Sequence, residues 1–354
     1  MIYLVKPVDS GNLNNERLDY VLKEVLAKYE YREVTCAKEF AQMDLKNKRI
    51  LFAIDIGHSG INIEYSKMLQ HIREHRDFFK GSYGSVIVDG QSEFFTKNIA
   101  RGFVFSANMA GCEFPGRPLV EATGALKNFN LQAQIDETDN LTAYVKASAD
   151  LVEKLVNYKT PKVKGRKPKI LMIHSSNFKT SNTLLLWDMI KKNIEEDCEI
   201  KEASLANGTI TDCRGCPHST CMHFSELNSC YYGGQIVKEI YPAVLECDGI
   251  VMVCPNYNDA VGANLTAFIN RLTSLFKTHK FYDKKLFAIV VSGYSGGDLV
   301  AQQLVSAVNM NKTFTLPPYF AICETANNVK EILTCDDIVE KSRSFAKNLL
   351  LSFN

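Results

Sequence analysis

The sequence predicts an α/β protein in two parts, each built on a parallel sheet with helices covering both of its faces. Three observations predict it. Apolar runs of strand length alternate with amphipathic stretches at helical spacing, sharply in the second half and less so in the first. A basic stretch with prolines and no apolar periodicity separates the two halves. The chain has 354 residues, of which 46% are hydrophobic, enough to fill two cores of ordinary size.

In the first half, MIYLV (1–5), RILFAID (49–55) and GSVIVDG (84–90) read as strands. Helices are expected around 15–29 and 62–78, and near 92–106 and 141–158. NIARGFVFSANMAGCEFPG (98–116) is rich in small residues and reads as a tight strand-to-loop crossing. KTPKVKGRKPK (159–169) carries six basic residues, two prolines and one glycine. It reads as a solvated linker between a domain at 1–158 and another at 170–354. After it the alternation is regular. KILMIH (169–174), CEIKEASL (198–205), GIVMVCP (249–255), KLFAIVVSG (285–293) and PYFAICET (318–325) read as strands. The stretches 181–194, 236–247, 263–276, 297–310 and 336–353 read as helices. No residue-level repeat relates the halves, so a shared architecture rests on pattern alone.

Forty-one Lys and Arg balance forty Asp and Glu, giving a net charge of +1, which argues against a general nucleic-acid binder. The apolar runs are far shorter than the roughly 20 residues of a membrane-spanning helix, and MIYLVKPV turns polar too early for a signal peptide. The expectation is a cytoplasmic protein without membrane or nucleic-acid partners, whose eleven cysteines are thiols, ligands or packing residues rather than disulfides.

Three loops follow strands at one edge of the second sheet. SSNFKTSNT (175–183) leads from a strand into a helix start, where unpaired N–H groups, hydroxyls and Lys179 suit a phosphate; the plain alternative is a helix cap at Ser181 or Asn182. Pro255, Asn256, Tyr257 and Asn258 follow the next strand. Gly293, Tyr294, Ser295, Gly296 and Gly297 follow the one after. Open α/β sheets bind ligands at this carboxyl edge, where a tyrosine can pack on a flat ring and glycines admit close backbone approach.

The second half resembles the NADPH-dependent FMN reductases and the related iron–sulfur flavoproteins, over about 170–350. SSNFKTSNT is similar to that family's GSPRKxGNT phosphate loop. Ser176, Lys179, Asn182 and Thr183 fall on its Ser, basic, Asn and Thr positions, while Phe178 and Ser181 replace its Arg and Gly. In YPAVLECDGIVMVCPNYNDAVGANLTAFINRL (241–272), Pro255, Tyr257, Phe268, Ile269 and Arg271 match, and Asn270 replaces an Asp. The resemblance implies a flavodoxin-like doubly wound parallel sheet holding FMN through Ser175, Ser176, Lys179, Ser181, Asn182, Thr183, 255–258 and 293–297. It implies electron transfer from NADPH or NADH to a quinone, flavin or similar acceptor, in a homo-oligomer. The alternative is a flavin or iron–sulfur carrier that admits no nicotinamide. No catalytic acid or base is assigned, because the cofactor carries this chemistry. The first half shows no phosphate loop, IGHSGIN (56–62) included, so one FMN per chain is expected.

Cys213, Cys216, Cys221 and Cys230 lie in DCRGCPHSTCMHFSELNSC (212–230). The iron–sulfur flavoproteins carry a compact motif at this place, near C-x2-C-x2-C-x4–7-C, against C-x2-C-x4-C-x8-C here. Three readings stay open: ligands of a 4Fe–4S cluster, a zinc site with His218 or His223 as substitutes, or thiols that bind no metal.

Overall fold

The computed structural model describes residues 1–9, 15–176, 181–205 and 210–354. The chain divides into two compact units, Met1–Lys159 and Thr160–Asn354.

The first unit contains β1 (Ile2–Val5), α1 (Glu16–Leu26), β2 (Tyr31–Val34), α2 (Ala37–Phe40), β3 (Arg49–Asp55), α3 (Ile63–Glu74), β4 (Ser82–Asp89) and α4 (Thr96–Met109). After these come β5 (Cys112–Glu113), β6 (Leu119–Ala122), α5 (Asn130–Ile135) and α6 (Asn140–Asn157). Its sheet runs β2-β1-β3-β4-β5, all parallel, and β6 also pairs with β4. The outer strand is thus broken in two: β5 pairs with Ser82–Tyr83 and β6 with Val86–Asp89. Leu51, Ala53 and Ile87 pack with α1 and α6 on one face. Phe52 points the other way, to Phe103 of α4, with ring centroids 4.5 Å apart. This alternation is the two-residue period of a strand buried on both sides.

The second unit contains β7 (Lys169–His174), α7 (Asn182–Lys191), β8 (Glu199–Ser204), α8 (His218–Glu226), α9 (Tyr241–Glu246), β9 (Gly249–Asn256) and α10 (Ala263–Thr278). β10 (Lys285–Ser292), α11 (Gly297–Leu304), β11 (Ala321–Thr325) and α12 (Ile338–Phe353) complete it. The sheet order is β11-β10-β9-β7-β8, again all parallel. Counted within each unit, both sheets have the order 2-1-3-4-5, the flavodoxin-like doubly wound arrangement. The outer strand is interrupted here too, with Lys285 bridging Thr315 before β10 pairs with β11 from Ala288. The alternation in the first half therefore reflects the same architecture as the second. β9 and β10 are buried almost throughout because neighbours flank them and helices cover both faces. β8 lies at the edge and is mostly exposed, which is why its sequence, EIKEAS, is polar.

Two readings change. Residues 98–116 are no strand-to-loop crossing: most belong to α4, which ends at Met109; Gly111, with φ 95°, follows its cap residue Ala110, and then comes the short β5. Alanines, glycine and serine there let the helix pack closely, with Ala100, Ala107 and Ser106 buried. The cysteine segment contains α8, which takes up Cys221. The basic stretch 159–169 is pinned onto the second unit. Arg166 donates to both carboxylate oxygens of Asp248, at 2.6 and 2.7 Å, and the Val163 N–H donates to Phe353 O. Among the described residues, no helix is long and apolar enough to cross a membrane.

Candidate functional site

In the order 2-1-3-4-5 the chain reverses its direction of winding between β7 and β9, and the carboxyl ends of strands at such a reversal are where open α/β sheets bind ligands. Pairing of Asn256 with Ser292 makes the β9 and β10 loops leave the sheet side by side.

The loop after β7 contributes hydroxyls. Ser181 Oγ lies 2.6 Å from Thr183 Oγ1 and 3.3 Å from Ser176 Oγ. These groups sit at the start of α7, whose N-terminal N–H groups have no side-chain cap among the described residues. The plain alternative, a cap by Ser181 or Asn182, is not formed among the described residues. Asn182 is committed elsewhere: its amide N–H group donates to Ala326 O (3.1 Å) and Asn328 O (2.8 Å), tying α7 to the loop after β11. Lys179 lies outside the described residues. Beside the loop, His174 closes β7 with a buried Nδ1 that has no partner among the described residues. Burial pushes its pKa below the ordinary histidine value, against the nearby Glu202 carboxylate and the Ser176 backbone, which favour the proton.

The loop after β9 turns on itself. Tyr257 and Ala260 form an antiparallel bridge, and Asn258 and Asp259 between them have φ of 54° and 56°, as a two-residue type I′ turn requires. Tyr257 is left 65% exposed. The Asn256 amide donates to Ser295 O (2.8 Å), Ser292 Oγ (3.1 Å) and Asp259 Oδ1 (3.2 Å), joining this loop to the next. Its own Oδ1 is buried without a partner among the described residues. Gln303 on α11 braces the turn from behind, donating to Asp259 O and accepting from the Val261 N–H. Gly262 then starts α10, and a Cβ there would stand 3.3 Å from Ser175 Oγ, so the first two loops meet.

In the loop after β10, Tyr294 is 83% exposed, while Gly296 adopts φ 81° against Asp259. Neither α10 nor α11 has a side-chain cap among the described residues. Ser175, Ser176, Ser181, Thr183, residues 255–258 and residues 293–297 thus share one sheet edge. Sequence reasoning missed His174, Gln303 and the bracing role of Asn182; only the position of His174 at a strand end offered a signal.

The matching edge of the first unit is built differently. Asp55 and Asp89 end the paired strands β3 and β4. Arg17 grips Asp89 with Nε at 3.1 Å and Nη2 at 2.6 Å, and the Asn15 amide donates to both carboxylates. Asn15 also caps α1 and Asn62 caps α3. Donors and acceptors there satisfy one another.

The cysteine segment is carried by α10. Arg271 is 2% exposed and donates to Thr211 O (3.2 Å) and Gly233 O (2.6 Å), holding both ends of the segment. Asn270 donates to Asp212, and Ser274 to Ser229 O. Cys213 is exposed, Cys216, Cys221 and Cys230 are half-buried, and all four are free thiols. Among the described residues, no three His, Cys, Asp or Glu side chains come together as a metal-holding group. A cluster or zinc site at Cys213, Cys216, Cys221 and Cys230, with His218 and His223 in reserve, does not fit this arrangement. Cys221 lies on α8, between Cys216 and Cys230.

Residues 168–327 match the model of the family described as NADPH-dependent FMN reductase. No curated protein matches the chain. Solved structures similar to it include an azoreductase from Bacillus anthracis str. Sterne, 15% identical, with 51% of this chain and 98% of that one covered and a TM-score of 0.38. Another is an NAD(P)H:quinone oxidoreductase from Methanothermobacter marburgensis, 13% identical over 52% and 99% of the two chains, with a TM-score of 0.38. A third is an FMN-dependent NADH-azoreductase from Bacillus anthracis str. Ames Ancestor in complex with FMN, 11% identical over 52% and 99%, with a TM-score of 0.35.

Proposed function

We propose, from the match of residues 168–327 to the model of the NADPH-dependent FMN reductase family, that the chain is a flavin-dependent NAD(P)H oxidoreductase. In this reading FMN binds at the carboxyl edge of β7, β9 and β10. NADPH or NADH is the electron donor, and a quinone, a free flavin or a similar compound is the acceptor.

The observation that carries the reading is the uncapped start of α7 beneath the hydroxyls of Ser176, Ser181 and Thr183, beside two loops that expose tyrosines. A helix of this length directs free N–H groups and the positive end of its dipole at an anion, and hydroxyls add donors. The residues fit FMN in three further respects. Asn256 Oδ1 is a buried acceptor still without a partner among the described residues. Gly296, which has no Cβ, lets the β9 and β10 loops close on each other at Asp259. Tyr257 and Tyr294 offer exposed ring faces to a flat heterocycle.

When bound, FMN supplies the two-electron chemistry. Ser175, Ser176, Ser181 and Thr183 hold the phosphate end. Residues 255–258 and 293–297 orient the ring end, with the Asn256 amide fixing the spacing of the two loops. His174 meets the site as a neutral imidazole and is given no acid or base role. A cytoplasmic setting and a homo-oligomeric assembly belong to the same proposal.

The test is a titration of the purified chain with FMN, followed by anaerobic addition of NADPH or NADH. Retained FMN whose yellow colour bleaches with nicotinamide supports the reading. Failure to hold FMN overturns it, and flavin that neither nicotinamide bleaches points to an electron carrier.

A further inference from the structure

The motif that the flavin reading does not absorb is the cysteine segment, and its mismatch with a cluster is informative. Cys213-Arg214-Gly215-Cys216 has the two-residue spacing at which neighbouring thiols can close a disulfide ring. Gly215 between them has φ 70°, and among the described residues nothing lies within 4 Å of the place its Cβ would occupy. The motif is therefore an irregular segment with open space around its glycine. It is also held in place. Arg271 and Asn270 fix Thr211 and Asp212 just before Cys213, and Arg271 fixes Gly233 beyond Cys230.

The two thiols differ in a way that suits exchange. Cys213 is exposed, while Cys216 is half-buried and its thiol donates to the Tyr232 hydroxyl at 3.8 Å. The Arg214 guanidinium lies 5.7 Å from the Tyr232 ring centroid, over the same spot. Cys221 lies on α8, and Cys230 follows it in the chain. Burial pushes the thiols of Cys198, Cys247, Cys254 and Cys323 up to about 11, 12, 12 and 12, which removes them from thiolate chemistry at neutral pH.

We propose that Cys213 and Cys216 form a reversible dithiol–disulfide couple that exchanges with small-molecule disulfides. The Cys213 sulfur attacks one sulfur of the small disulfide; that S–S bond breaks, a mixed disulfide forms and one small thiol leaves. The Cys216 sulfur then attacks Cys213 Sγ, the mixed disulfide breaks and a second small thiol leaves. The two protons lost by the cysteines end on the two released thiols, and two electrons pass from the protein to the small disulfide. The reverse sequence restores the dithiol.

The experiment uses the full chain, reduced under nitrogen and equilibrated with graded ratios of reduced glutathione to glutathione disulfide. Acid quenching, alkylation and peptide mass spectrometry follow. The expected result in the unaltered chain is a 213–216 peptide that loses both alkyl groups together and two hydrogens, passing from none to nearly all chains as the disulfide fraction rises. Cys216→Ser should trap glutathione on Cys213, and Cys221→Ser should change nothing. The couple is overturned if both thiols stay alkylatable at every ratio, if Cys213 pairs with Cys221 or Cys230, or if anaerobically purified protein holds about four irons per chain that shield these cysteines. The readout is the mass of the cysteine peptide and not flavin, so its failure leaves the flavin reading standing, and failure of FMN binding leaves the couple standing.

Discussion

The carboxylate of Asp259 lies where a side chain on Gly296 would begin: a Cβ at position 296 would stand 2.0 Å from Asp259 Oδ1. Gly296 also has φ 81°, a left-handed conformation that costs other residues roughly 1–2 kcal/mol. Gly296→Ala is therefore expected to push the β9 and β10 loops apart and to weaken FMN binding about tenfold or more, as that strain implies. Asp259→Ala in the same chain should recover part of the loss, because it removes the clash and leaves only the backbone strain. Dissociation constants for the two single variants and the double variant check this; equal losses with and without Asp259 would remove the steric explanation.

Thr183 and Asn182 are neighbours with separate tasks, and their substitutions should separate accordingly. Thr183→Ala removes a hydroxyl from the cluster above α7 and should weaken FMN binding by about 1–2 kcal/mol, the worth of a hydrogen bond to a charged group. Asn182→Ala breaks the ties to Ala326 O and Asn328 O. It should lower the stability of the chain by about 1–2 kcal/mol, with a smaller effect on FMN. Urea unfolding and flavin titration of each variant test the division, and an Asn182 variant that loses FMN at full stability would reverse the roles.

What could be read from the sequence follows from where side chains are buried. KILMIH and GIVMVCP are legible because central parallel strands bury both faces, so their apolar runs are continuous. β2 was missed because YREV lies at a sheet edge with only Val34 buried. β5 and β6 are halves of one interrupted strand, and neither is long enough to show a period. α8 was missed because its sequence is polar and it is held by Ser225 and by α10 rather than by an apolar stripe. The site loops were legible because strand ends in an α/β sheet converge. The braces from Asn182, Gln303 and Arg271 were not, since each spans a distance in sequence that no local pattern encodes.

Asp248 should make stability depend on pH in a definite direction. Burial alone would raise its pKa, but hydrogen bonds from Arg166 and the Lys169 N–H outweigh that and hold it below the ordinary carboxylate value. A depressed folded pKa stabilises the native state above the unfolded value, about 3.9 for Asp, and the contribution is lost as pH falls through the folded value. Asp248→Asn should therefore cost about 1 kcal/mol at pH 7, in keeping with a partly exposed pair, and the difference from the unaltered chain should shrink as pH falls below the unfolded value and be lost once pH lies below the folded one. A gap between the two unfolding curves that persists in acid would show that packing, and not the charge, is responsible.

The last prediction concerns the first unit, which has the same strand order but a closed edge. At the ends of β3 and β4 it presents Asp55 and Asp89, two carboxylates that oppose a phosphate. The N–H groups at the starts of α1 and α3, which an anion would need, already bond to Asn15 and Asn62. Arg17, the cation nearest this edge, is spent on Asp89 and on the carbonyls of Gly90 and Gly124. The chain is therefore expected to take one FMN, not two, with all of it in the second unit. Acid extraction and quantification of flavin per chain measure the ratio, and Thr183→Ala should lower the whole of it at limiting FMN. Asp89→Ala should leave that ratio unchanged while destabilising the chain by several kcal/mol, because it strands the Arg17 guanidinium beside a buried gap. A ratio near two, or flavin lost through Asp89→Ala in a chain that stays folded, would assign a flavin to the first unit as well.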